Sequence, residues 1–291
     1  MFAAFFSLEM LCLERYFIPT VTQIGYTFVV YDQIMFIMGI NNSLKRNMQK
    51  TGVYVGVMGE LFKKYKEIFF LVLFYECICL ALIIYYDFSF LYYMMAWNVF
   101  LALLPLIFAE KAGDALKHGK SARFFAWLVL WLLFFPNSVY MVTDFIHITS
   151  DNFFWMVKTK KYLENSGFIY STDIAIWIKL LVIGMGFLLS VFLGMESLYL
   201  FEQNIKSKVS KQLRYAGFFT VALLSGVGVF IGRFLRFNSW DVILNPVQLL
   251  KQFAAAMNVF AIQFIIAYTV YIIGCYLLYR VFRNKPKPCA V

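Results

Sequence analysis

The sequence predicts an all-α fold: a polytopic transmembrane helix bundle with six core spans. Three observations carry this. Hydrophobic residues make up 62% of the chain and charged ones only 14%, where soluble domains carry about 25% charged residues. Apolar runs near the ~20-residue length needed to cross a bilayer recur along the chain. The basic residues gather in short blocks between those runs, as they do in loops facing the cytoplasm.

Residues 1–57 fit the plan least well. Met1–Leu13 is apolar but contains Glu9, and no basic segment precedes it as in a signal peptide. Phe17–Ile40 is long enough to span, yet Pro19, Gln23, Asp32 and Gln33 interrupt it. Two readings stay open: an extra marginal N-terminal helix, or upstream sequence before a true start at Met58. Residues 58–67 form a basic flank. The membrane domain follows at 68–280, with spans at about 68–86, 89–109, 124–143, 173–198, 215–233 and 254–279, and a basic tail at 281–291.

The segments joining the spans alternate in charge. One set holds eighteen Lys and Arg, in blocks at 45–66, 111–123, 206–214 and 280–287. The other holds six: Lys158, Lys160, Lys161, Arg233, Arg236 and Lys251. The positive-inside rule then places the start of the first span and the C-terminus in the cytoplasm, with the protein multi-pass in the plasma membrane. The net charge of +10 is accounted for by these flanks, so no nucleic-acid partner is expected. Membrane lipid is the expected partner, with a second membrane protein or another copy of the chain as further ones.

Little points to a cofactor. Of the five cysteines, Cys77 and Cys79 form C-x-C within an apolar run, and none falls in an outer loop. That argues against a disulfide framework or zinc site. Two histidines, His118 and His147, are too few for a multi-histidine metal centre. No G-x-S-x-G, H-E-x-x-H, P-loop or Rossmann fingerprint occurs.

Two motifs carry the polar chemistry. In Phe135–His147, Pro136 lacks an N–H and its ring opposes the carbonyl of Leu132, which predicts a helix break. Asn137, Tyr140, Asp144 and His147 follow. Asp144 and His147, at i and i+3, suit acid–base chemistry with an imidazole titrating near neutral pH. They equally suit two ligands of a divalent cation completed by Asp173 or Asp241, or a helix-end histidine bonded to backbone. In Gly232–Asp241, a continuing helix would set Arg233, Arg236 and Trp240 on one face and Asn238 and Asp241 on another. Two arginines on the sparsely basic side can grip a phosphate or carboxylate, anchor headgroups, or pair with an internal aspartate.

The topology brings both motifs to the outer side. The expectation is an outward-facing polar pocket for an anionic, lipid-linked ligand. Asn137, Tyr140, Arg233, Arg236, Asn238, Trp240 and Asp241 would bind it, and Asp144 and His147 would catalyse or hold a metal. The alternative is a transporter or a structural subunit of a larger complex, with the same residues as helix-locking contacts. Enzymatic activity stays open.

Other residues bear on packing. Asn98 reads as interhelical glue, and Gly186, Ser190, Gly194, Gly228 and Gly232 as close-packing ridges. Glu76 is a lone carboxylate within the first span; Lys179 lies near the outer end of the fourth and can snorkel. The outer segment 144–172, with Phe153, Phe154 and Trp155, either lies on the headgroup layer or folds over the bundle.

Trp97–Pro105, Phe135–His147 and Gly232–Pro246, in this order of spans, resemble the bacterial membrane-protein family catalogued as domain of unknown function 1361. The resemblance covers roughly residues 68–280. It implies a multi-helix membrane domain and lends no activity.

Overall fold

The structure, a computed structural model, describes residues 63–86, 90–156, 168–239 and 241–283. The chain divides into two compact units, residues 1–69 and 70–291. The readings for residues 1–57 lie outside the described residues. In the first unit, Lys63–Phe69 carries the beginning of α1 (Lys66–Tyr85). In the second follow α2 (Phe90–Lys117), α3 (Ser121–Tyr140), α4 (Ile174–Ile205), α5 (Lys211–Phe230), α6 (Asp241–Leu244), α7 (Pro246–Ala256) and α8 (Val259–Arg283). A 3-10 helix, Met141–Ile148, continues α3, and a π turn, Ile231–Leu235, continues α5. Among the described residues six helices are long and apolar enough to cross a membrane: α1, α2, α3 with its 3-10 end, α4, α5 with its π turn, and α8. The all-α polytopic bundle is therefore the fold.

α2 is the centre of the second unit, packing mainly on α3 and α4. Half of its most apolar stretch is buried, against 17% for α1. Small side chains make that possible: Ala102, Ala109 and Ala112 are fully buried, and a Cβ on Gly113 would collide with the side chain of Asn204 on α4. Trp131 of α3, 1% exposed, donates its indole N–H to Ser197 Oγ of α4 at 3.2 Å and stacks on Phe201. α5 lies mainly against α8, where a Cβ on Gly226 would come 2.9 Å from the carbonyl of Ile265. On α1, buried Tyr75 donates to the carbonyl of Val182 at 3.2 Å, and Gly186 leaves room for its ring. Phe70, Leu73 and Ile84 are exposed, a face suited to lipid.

The structure differs from the sequence reading at Pro136. α3 runs through it and changes to 3-10 only at Met141. Side chains around the proline take up backbone carbonyls: Asn137 Nδ2 donates to Phe134 O at 3.1 Å, and Ser138 Oγ to Phe135 O at 2.7 Å. Neither carbonyl is the one that Pro136 frees, that of Leu132; membrane helices tolerate proline inside a packed bundle. The ring is also a packing element, since a Cβ on Gly228 of α5 would lie 2.9 Å from Pro136 Cγ.

Beyond the 3-10 helix the chain forms an antiparallel pair, β1 (Phe154–Met156) with β2 (Phe168–Tyr170). Phe153 meets Trp177 edge-on at 5.4 Å, whereas Phe154 and Trp155 are exposed. The last span starts later than expected, at Val259, because Asn258 caps it by accepting the Ala261 N–H at 2.9 Å. The short α7, with Val247 and Leu250 exposed, precedes it.

Gly186→Leu and Gly228→Val should each lose about 1–3 kcal/mol through overpacking, read as lower thermal midpoints in detergent. Gly217→Ala, where a Cβ meets open space, should leave the midpoint unchanged or slightly raised.

Candidate functional site

The end of the bundle where α3 becomes 3-10 and α5 becomes π holds most of the residues singled out in the two motifs. Asp144 is fully buried on the 3-10 helix. Its Oδ2 accepts from Asn98 Nδ2 of α2 at 3.0 Å, and its Oδ1 lies 3.5 Å from Arg233 Nη1 on the π turn. The same Nη1 donates to Tyr140 OH at 3.3 Å, and the guanidinium stands 6.0 Å from the Tyr140 ring centroid. One carboxylate thus ties three spans together. A carboxylate at this depth is stable as a charge only with such partners.

The Asp144–His147 pairing does not form. The carboxylate's partners are Asn98 and Arg233, and His147 Nε2 is buried without a hydrogen-bond partner among the described residues. Nor do the aspartates converge. Asp173 caps α4 by accepting from Ala175 N–H at 2.9 Å, and Asp241 accepts the Asn238 N–H at 2.6 Å. Among the described residues no three His, Cys, Asp or Glu side chains gather as a metal site would require.

The shared face of Arg233, Arg236 and Trp240 needs correction as well. It assumed a continuous helix past Gly232, but the π turn ends in Arg236, whose φ of 58° is left-handed. That reversal sends Arg233 and Arg236 to different environments: Arg233 is half-buried and paired, while Arg236 is exposed and has no side-chain partner among the described residues. Asn137 donates to Ser239 Oγ at 3.0 Å, fastening the segment after the reversal to α3. Asn238 is exposed. Trp240 lies outside the described residues.

Two contacts escaped the sequence reading. Lys179 of α4 pairs with Asp151 at 2.8 Å, both largely buried. The signal was a cation in an apolar span with no counter-charge nearby in sequence. Ser239 went unremarked because its role depends on the reversal at Arg236.

Set against known proteins, the chain belongs to the family described as "protein of unknown function (DUF1361)", whose profile matches residues 97–275. The match covers more than half of the chain and takes in Asn98, both polar motifs and Lys179. No curated protein and no solved structure matches the chain.

Arg233→Met should destabilise the fold by about 3–5 kcal/mol, because Asp144 would keep a buried charge without its cation. Adding Asp144→Leu to the same chain should recover most of that loss. Chemical unfolding of the single and double variants in detergent micelles measures both.

Proposed function

We propose that this integral membrane protein lies in the plasma membrane with its C-terminus in the cytoplasm, and that Arg236 on the opposite side receives an anionic group carried by a lipid. The observation that carries the reading is the conformation of Arg236. A non-glycine residue in the left-handed region is uncommon and costs about 1–3 kcal/mol where the fold imposes it. Here it follows directly on a π turn, a distortion frequent at functional sites. The outcome is an exposed guanidinium whose five donors suit phosphate or carboxylate oxygens. Arg233, Asp144, Asn98 and Tyr140 then hold the turn in place. Asn137 fastens Ser239, and Asp241 accepts the Asn238 N–H in the segment behind it.

A second reading has its own support: the chain is a structural subunit or transporter component, and the cluster is a helix lock. The full burial of Asp144 and its engagement by two partners favour it. The same burial weakens an acid–base role for Asp144.

Arg236→Gly separates the two readings. Glycine suits the backbone there, so the fold and thermal midpoint should be retained. A photoreactive anionic lipid in nanodiscs should label the peptide 231–241 of the wild type several-fold more than that of Arg236→Gly. Equal labelling would leave the lock as the whole role of this end. For orientation, single cysteines at 150 and 236 should react with an impermeant reagent from outside intact cells and one at 208 should not; the reverse pattern overturns the proposed topology.

A further inference from the structure

The opposite end of the bundle holds a cavity of about 400 Å³ between the ends of α4, α5 and α8. Lys206, Lys211, Arg214 and Arg280 line it together with one carboxylate, Glu202. Glu202 is already engaged. Tyr276 donates to its Oε2, and Arg214 and Arg280 stand 3.9 and 3.7 Å from its Oε1. It serves to space the two guanidiniums at the cavity wall. Lys206 and Lys211 have no ion-pair partner among the described residues, and Lys211 Nζ lies 5.9 Å from the Tyr215 ring centroid. Arg214 Nε is buried with no hydrogen-bond partner among the described residues, although buried donors are as a rule satisfied. The volume would hold on the order of a dozen waters, ample for a phosphate group and what it is attached to.

We propose that this cavity binds a phosphate-bearing anion. Four cations against one carboxylate leave a surplus that a phosphate monoester or diphosphate dianion would offset. Guanidiniums grip its oxygens directionally and the lysines act as point charges. Basic pockets between membrane helices take anionic headgroups in this way. Leu277, Leu278 and Val281 lie exposed on α8, the helix that supplies Arg280 to the cavity, and offer apolar surface to acyl chains. The site is independent of Arg236, at the other end of the bundle.

The test uses the full chain with Lys206→Gln/Lys211→Gln, which leaves the Glu202 contacts in place. In nanodiscs containing photoreactive phosphatidic acid, peptides 199–215 and 276–283 of the wild type should be labelled, and the double variant should lose roughly tenfold of that signal. Labelling at 231–241, which reports on Arg236, should not change. In detergent, pyrophosphate should raise the melting temperature of the wild type but not of the variant if the anion is soluble. Loss of lipid labelling identifies a headgroup, and loss of the pyrophosphate response alone identifies a free phosphate compound. If neither lipid nor pyrophosphate distinguishes the variant from the wild type, the proposal is overturned.

Discussion

A carboxylate buried among membrane helices must be neutralised where it lies. Asp144 sits at zero exposure on a 3-10 helix, and the geometry around it follows from that constraint. Arg233 can reach it because α5 loosens into a π turn there, and Asn98 completes the shell from the centre of the bundle. Water cannot substitute for these partners at low dielectric, so the contact fixes the relative rotation of three spans. The left-handed Arg236 follows immediately on that π turn.

The spans, their order and the polar character of both motifs were legible in the sequence because each is local. Length and hydropathy mark a helix regardless of its neighbours, and Asn98 in an apolar run announces a need for a partner. What could not be read depended on geometry that sequence periodicity does not encode. Pro136 looked like a break because the rule concerns the backbone alone; that its ring would pack against Gly228 of α5 depends on tertiary geometry. The π turn changes the angular step between residues, so helical spacing assigned Arg233 and Arg236 to one face. The Lys179–Asp151 pair depends on how the segment after the 3-10 helix returns toward α4.

Glu196 and Glu202 show the same limit from the other end. Their positions near the ends of apolar runs suggest simple interfacial residues. In the structure Glu196 accepts from Tyr279 and stands 3.5 Å from Arg283, while Glu202 meets Tyr276, Arg214 and Arg280. Each acid on α4 therefore locks onto a tyrosine–arginine pair on α8. The pairs recur with the same spacing, Tyr276 with Arg280 and Tyr279 with Arg283, which places them along one side of the helix.

The two ends of the bundle solve different electrostatic problems. Near the 3-10 helix, opposite charges are matched in pairs, Asp144 with Arg233 and Asp151 with Lys179, while Arg236 stands exposed. Around Glu202 the cations outnumber the acids, and the excess lysines surround a cavity. A surplus of that kind is what the positive-inside bias selects, yet topology alone needs only charge in the loop and is indifferent to where each side chain points. Convergence of three helix ends on one polar cavity, with a guanidinium N–H left unsatisfied, is a stronger requirement. Here Lys206, Lys211, Arg214 and Arg280 line one cavity, an arrangement that suits an anion whichever way the chain is oriented.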